Sequence, residues 1–370
     1  MSPATSLPSE ILGKILEYHY HSRIDLSNFC FVHKTWYPIA QGILYRSARF
    51  RDHDAIRFLE AINEYPHIYP MIRELELRSL STVVLEAFQA LGPSSNVTSL
   101  RLRSHRIDAE QQSILSRSFP QLQKLSLKNS VFYDGLSGLI HLLSSFPRLT
   151  SLSLTEISYL PNRDETTYPD TGIPASLRVF DCHLGPLEME NILRWMMSHS
   201  PMPPIESVFI ASYYNYEDLR VVVSSFISSL PTLKIAWVRL NTMWDPPSLT
   251  FAENPQLETI RLEFDLRGLN PSRWIPFLSM VFSSVSSVVI ETIVITIRMT
   301  GGSAPNFDWQ DLGRVLRSPT FSNLRMVYIA CTDPFTFQEQ PYVGDLKEKI
   351  YEALAHLVAK NILTVSVPVF

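Results

Sequence analysis

One arrangement of apolar and polar positions recurs along most of the chain. An apolar residue is followed by two of any kind, a second apolar residue, one of any kind, and a third apolar residue. The arrangement begins at Ile72, Leu75 and Leu77 and returns at Val97, Leu100 and Leu102, at Leu122, Leu125 and Leu127, and at Leu149, Leu152 and Leu154. Looser copies follow at Leu177, Phe180 and Cys182, at Ile205, Val208 and Ile210, at Leu233, Ala236 and Val238, and at Leu257, Ile260 and Leu262. The series ends with Val285, Val288 and Ile290, with Leu324, Val327 and Ile329, and with Ile362, Val365 and Val367. The alternation that closes each copy has the period of a strand with one buried face. The first eight intervals all fall between 24 and 28 residues, and the last two are 39 and 38. So regular a series reads as an internal repeat. The longest apolar run, 285–297, is interrupted by Ser286, Ser287, Glu291 and Thr292. It is too short and too β-branched for a membrane helix and reads as buried strand.

Between the copies the apolar spacing becomes that of a helix. Residues 108–119 open on Asp108 with Gln111 three positions on, the pairing of a capping box. Residues 134–146 carry Leu136, Leu139, Ile140, Leu142 and Leu143, and 187–199 carry Leu187, Ile192, Leu193, Trp195 and Met196. Residues 217–230 and 273–282 are similar, and 345–360 set Leu346, Ile350, Leu354, Leu357 and Val358 on one stripe. A strand and a helix in every 24 to 29 residues resembles the leucine-rich repeats. The resemblance implies an α/β solenoid, a leucine-rich-repeat horseshoe of about 11 irregular repeats over 71–370. A (β/α)8 barrel also alternates strand and helix, but it has eight units of about 30 residues, against eleven copies near 27 here. The repeat pattern would place Asn three positions after the third apolar residue. Leu80, His105, Ser130 and Ile157 stand there instead, so the turns must satisfy their backbone groups by other means. The longer intervals and a polar insertion place loops near 299–309, 332–342 and 160–175.

Residues 1–50 do not follow this pattern. Three short helices are expected. One is capped by Ser9 and carries Ile11, Leu12, Ile15 and Leu16; one is capped by Asp25 and carries Leu26, Phe29 and Cys30; one covers 34–45 with Trp36, Ile39, Ala40, Ile43 and Leu44. A module this small hides at best about 60 % of its chain surface, so its surplus of apolar side chains marks a partner site. Leu7, Pro8, Glu10, Ile11, Ile15 and Leu16, then Asp25, Leu26, Cys30, Val32 and Trp36, then Leu44 and Tyr45 resemble the F-box family in residue type and spacing, over about forty residues. His33 stands where many members have Cys. An F-box followed by leucine-rich repeats is itself a known family arrangement.

The resemblance implies a function. The F-box docks on the adaptor Skp1 and through it on a cullin–RING ligase, while the repeats hold a protein to be ubiquitinated. The chain is then the substrate-recognition subunit of an SCF ubiquitin ligase and not itself an enzyme. Contact with Skp1 falls to Leu7, Pro8, Ile11, Ile15, Leu16, Leu26, Cys30, Val32, Trp36 and Leu44. The alternative is a leucine-rich-repeat interaction scaffold that works in no ubiquitin ligase. Residues 51–70 form a linker in which Ile56, Phe58, Leu59 and Ile62 suit a helix capping the open end of the solenoid. Pro368 in the last strand would discourage edge-to-edge association.

Composition agrees with a binding protein. Gly is scarce at 12 and Pro plentiful at 26 of 370 residues, which lowers the expectation of a phosphate-cradling loop. Much of the Pro is punctuation: Pro70, Pro120, Pro147, Pro203, Pro231 and Pro255 each stand two residues before a copy, where Pro ends one element and favours extended chain. The net charge of −4 does not suggest a nucleic-acid partner. Three scattered cysteines and no CxxC fit a reducing, intracellular compartment without disulfides or structural zinc. The first ten residues lack the features of a signal peptide, and no membrane partner is expected. No GxSxG, Walker A, HExxH or GxGxxG occurs, and His19 and His21 lack a carboxylate cluster, so no catalytic residue, metal or cofactor is expected. Cys182, at an inward position, reads as core.

In the fold so implied, the residue between the last two apolar positions faces the concave side. That column reads Glu76, Arg101, Ser126, Ser153, Asp181, Phe209, Trp237, Arg261, Val289 and Tyr328. With the flanking positions it gathers a basic group, Arg78, Arg101, Arg103, Lys124 and Lys128, and two central aromatics, Phe209 and Trp237. A substrate site with a basic end and an aromatic centre would favour an acidic or phosphorylated segment.

Overall fold

A computed structural model of the chain describes residues 7–19, 22–50, 52–78, 84, 88, 96–159, 172–212, 217–241, 249–265, 277–298, 309–332 and 342–366. The fold is α/β, with twelve strands in large parallel sheet and helices between them. The chain divides into two compact units, Met1–Leu149 with Tyr159–Glu165, and Thr150–Ser158 with Thr166–Phe370. The expected loops at 160–175, 299–309 and 332–342 fall almost wholly outside the described residues, as do Leu80, His21, Val367, Pro368 and positions 273–276 of an expected helix.

The first unit opens with three helices, α1 (Ser9–Tyr18), α2 (Arg23–Phe29) and α3 (Tyr37–Leu44). Leu12, Leu16, Leu26, Ala40 and Ile43 form their common core, with Phe29, Cys30, Trp36, Ile39 and Leu44 packed around it. The expected caps shift by a few residues. Ser9 is already helical, behind an uncapped Pro8. Asp25 lies inside the first turn of α2, where its charge suits the helix dipole; the cap is Ser22, whose Oγ accepts from Asp25 N at 3.3 Å. The third helix starts at Tyr37, three residues later than expected.

Then comes an element the sequence reading did not foresee. β1 (Ser47–Phe50) follows the third helix, within residues 1–50 where no strand was expected, and it is the edge strand of the sheet. Four residues with a single buried side chain, Ala48, leave almost no apolar alternation to read. α4 (Asp52–Glu64) follows over the expected linker helix. β2 (Glu74–Leu77), β3 (Ser99–Arg103) and β5 (Lys124–Lys128) then add in order, all parallel, with the two-residue strands β4 (Arg106–Ile107) and β6 (Val131–Phe132) pairing separately. The register stacks Ala48, Leu75, Leu100 and Leu125 in one buried row and Leu77, Leu102 and Leu127 in another. The expected capping box on α5 (Ala109–Ser118) is present in both directions, Asp108 Oδ1 to Gln111 N at 2.9 Å and Gln111 Oε1 to Asp108 N at 3.3 Å. α6 (Gly135–Ser144) completes the described helices of this unit.

The strand entries share one device. Arg46 O accepts from both Arg73 N and Glu74 N, Arg73 O from Thr98 N and Ser99 N, and Thr98 O from Gln123 N and Lys124 N, all at 2.8–3.0 Å. Two successive donors on each carbonyl fix where each strand starts, and at β2 and β5 this follows a punctuating Pro, Pro70 or Pro120. The turns without the expected Asn use substitutes. His105 is buried and its Nε2 donates to Leu77 O at 3.0 Å. Ser130 Oγ donates to Lys128 O at 3.2 Å. The residue before each of these positions, Ser104 or Asn129, takes a left-handed φ of 60° or 50°.

The second unit holds β7 (Ser151–Thr155), the first residue of the short β8 (Ser158–Tyr159), and then β9 (Val179–Leu184), β10 (Ser207–Ser212), β11 (Ile235–Asn241), β12 (Thr259–Asp265), β13 (Thr292–Arg298), β14 (Met326–Thr332) and β15 (Leu363–Ser366). From β9 on, each strand pairs parallel with the next, and β7 pairs with β9. Helices α7 (Pro186–Met197), α8 (Glu217–Ser228), α9 (Phe277–Ser283), α10 (Trp309–Val315), α11 (Tyr342–Ala353) and α12 (Ala355–Ala359) alternate with them. One buried row runs Leu152, Phe180, Val208, Ala236, Ile260, Ile293 and Val327.

Two copies of the pattern move. β13 begins at Thr292, so Ile290, Ile293 and Ile295 take the three apolar places in lieu of Val285, Val288 and Ile290. Val288 and Val289 are exposed, and Ser287 is buried with its Oγ donating to Leu257 O at 2.7 Å. A β-branched run offers several frames of the same pattern, and pairing with β12 selects one. The residue beside Arg261 on the open face is therefore Val294 and not Val289. The last strand is likewise displaced by two, with Leu363 beside Val327 and Val365 beside Ile329.

Candidate functional site

Three surfaces collect the residues singled out in the sequence. The first is the outer side of the three-helix module. Leu7, Ile11 and Ile15, spaced by four, form a stripe along and just before α1, each 41–44 % exposed, and Pro8 is exposed among them. Val32 is 56 % exposed, and Phe31 and Ile24 are more so. Cys30, Trp36 and Leu44 are half-buried against the core. Leu16 and Leu26, assigned to partner contact with the others, are instead enclosed in the module's own core at 0 % and 1 % exposure. Helical period explains the split: Leu12 and Leu16 lie on the face of α1 toward α2 and α3, and Leu7, Ile11 and Ile15 lie on the other.

The second surface is the open face of β1–β5, opposite the buried leucine rows. Register places Arg49, Glu76, Arg101 and Ser126 side by side, with Arg103 and Lys128 paired one step along and Ser99 and Lys124 paired one step back. Glu76 is the hub. Its carboxylate is 5 % exposed and faces four guanidinium groups: Arg103 Nε at 3.1 Å, and Arg49 Nε, Arg78 Nε and Arg101 Nη1 each at 3.4 Å. The expected basic group thus forms around a buried carboxylate, with Lys124 exposed and Lys128 half-buried beside it. Arg49 was not foreseen, because the strand that presents it was not. A cleft of about 630 Å3 adjoins this face, lined among others by Pro38, Gly42, Arg46, Arg73 and Lys124.

The third surface is the open face of the second unit. Ser153, Asp181, Phe209, Trp237, Arg261, Val294 and Tyr328 lie in one row across seven strands. Ser153 Oγ donates to Asp181 Oδ2 at 2.8 Å. Burial holds the Asp181 carboxyl above the usual carboxylate range, opposed by that hydroxyl and by His183. His183 meets Phe209 edge-on, ring centres 6.2 Å apart, and Phe209 and Trp237 are 4.2 Å apart. The Arg261 guanidinium lies 3.7 Å over the Trp237 ring, a cation–π contact. One step along, Glu263, nearly buried, is shared by Arg239 and Arg298. The two expected aromatics are therefore together and half-buried, with an arginine over the Trp237 ring.

Among the described residues no group of three or more His, Cys, Asp or Glu is arranged to hold a metal ion, and no helix is long and apolar enough to cross a membrane. In comparisons with known proteins, no family model matches the chain and no curated protein matches it.

Proposed function

We propose that this chain is the substrate-recognition subunit of an SCF-type ubiquitin ligase, its N-terminal module an F-box that docks on Skp1 and its strand–helix series a leucine-rich-repeat solenoid that holds the substrate. The observation that carries the reading is the outward stripe Leu7, Ile11 and Ile15 with Val32, on a three-helix module whose sequence resembles the F-box. These side chains lie outside the module's buried core, and burying each more fully against a partner would contribute on the order of 1 kcal/mol. They touch the adaptor; Leu16 and Leu26 hold the frame that presents them. The receptor itself supplies proximity: holding a substrate near a charged E2 raises the effective concentration of its lysines without any bond-making group of its own.

Affinity purification of the full chain with mass spectrometry, with and without proteasome inhibition, tests the reading. Skp1 and a cullin should be recovered together, with further proteins that accumulate only on inhibition. Recovery of Skp1 without a cullin would leave an interaction scaffold, and recovery of neither would overturn the proposal.

A further inference from the structure

We infer that the arginine-rich open face of β1–β5 is a docking patch for an acidic segment of a partner protein, with Glu76 as its internal organiser and not as the group that fills it. Glu76 is enclosed beneath the guanidinium groups, whereas Arg49, Arg78, Arg101 and Arg103 are 38–64 % exposed. A carboxylate accepts about four hydrogen bonds, whereas four guanidinium groups offer about twenty N–H donors. The one carboxylate can satisfy only a minority of those donors. The face carries six cations, these four with Lys124 and Lys128, against two carboxylates, Glu74 and Glu76. The whole chain is negative at −4, so this concentration of positive charge is local. Clustered like charges repel unless anions offset them; two carboxylates offset two of the six charges, and an incoming anion would offset the rest.

The spread of the patch selects the ligand. Four strands about 4.8 Å apart make it roughly 14 Å wide, and its rows of cations lie about 7 Å apart along the strands. One small anion reaches two or three of these groups. An extended acidic segment, whose alternate side chains repeat about every 7 Å, reaches most of them. Arg also suits paired oxygens of carboxylates geometrically. The open-face positions of these strands carry Ser, Glu, Arg and Lys and no aromatic residue, so a single-stranded nucleic acid would find no stacking platform. That the segment belongs to a ubiquitination substrate rests on the reading above; the patch itself does not.

Fluorescence anisotropy of the full chain with a labelled peptide of six Asp alternating with Ser tests the inference, alongside the same peptide with Lys for Asp, a single-phosphoserine peptide, inorganic phosphate as competitor, and a twelve-residue thymidine oligonucleotide. The Asp peptide should bind, the Lys peptide should not, and raising salt should weaken binding. Arg101→Gln with Arg103→Gln should weaken it at least tenfold with the unfolding temperature retained. Glu76→Gln should do the opposite and tighten it several-fold, since it removes the one internal competitor; a merely structural ion cluster would not respond so. If Glu76→Gln does not fold, the arginine pair decides alone. Equal binding of Asp and Lys peptides, unchanged affinity in the arginine pair, or tighter binding of phosphoserine or oligonucleotide would overturn the assignment. Skp1 capture by the arginine pair, run in parallel, should be unchanged, which separates failure of this inference from failure of the receptor reading.

Discussion

Asn254 lets a stability effect be worked from its contacts. It is fully buried in the second unit, and its Nδ2 donates to Ile227 O at 2.8 Å and Leu230 O at 2.9 Å, carbonyls in the last turn of α8 and just past its end. Truncation by Asn254→Ala removes both bonds. An orphaned buried carbonyl costs about 1–3 kcal/mol, but neither is wholly orphaned here: Ile227 O still accepts from Leu230 N and Leu230 O from Leu233 N, both at 3.1 Å. The cost per bond therefore falls to about 1 kcal/mol, and the space left by the amide brings the total to about 2–3 kcal/mol. At about 2–4 °C per kcal/mol for a unit of this size, thermal unfolding followed by circular dichroism should fall by about 5–10 °C. Asn254→Asp should be worse than Asn254→Ala at pH 8 and improve toward pH 5. Its oxygens would face two carbonyls, so the folded state favours the protonated form, and stability is lost as pH rises through the raised pKa. A shift below about 1 °C for the Ala variant, or an Asp variant no worse than Ala at pH 8, would refute this account of the helix end.

Further outcomes follow from the site geometry. Asp181 is held above the ordinary carboxylate range by burial, so the folded chain binds its proton more readily than the unfolded chain does, and stability drops as pH rises through that window. Asp181→Asn should therefore raise the unfolding temperature at pH 8 and change it little at pH 3; an equal shift at both would remove the role of its charge. Burial pushes the Cys182 thiol well above its ordinary value and that of Cys331 up to about 12. Iodoacetamide at pH 8 should label the half-buried Cys30 alone in the native chain and all three cysteines after unfolding; labelling of Cys182 or Cys331 in the native chain would mean that the sheet opens.

Legibility in the sequence followed the strength of local signals. Leu100 and Leu102, Leu125 and Leu127, and Leu152 and Leu154 occupy the buried rows that their spacing predicts, because a period-two apolar pair flanked by polar residues admits one frame. Asp108 and Gln111 cap their helix as read, since a capping box is wholly local. Where several frames compete, as in 285–297 and 362–367, strand pairing decides, and that information is not local. β1 escaped notice because one inward Ala carries almost no pattern. With β1 went Arg49, and with Arg49 the sense of the basic group: Glu76 stood in the expected column, but nothing in its neighbours along the chain shows that four arginines from two strands and a strand end converge on it. Phe209 and Trp237 were legible as a pair because equivalent positions of adjacent strands lie side by side, whereas the stacking of Arg261 on Trp237 depends on side-chain conformation.

The central claim is the proposed contact between α1 and the adaptor. Isothermal titration of purified Skp1 into the full chain, compared with Ile11→Asp combined with Ile15→Asp, measures it. Both positions are exposed and contribute little to the core, so the variant should keep its unfolding temperature within about 2 °C. The account predicts that the unaltered chain binds and that the variant loses at least a hundredfold in affinity. A chain that does not bind Skp1, or a folded variant that binds as well as the parent, would contradict it.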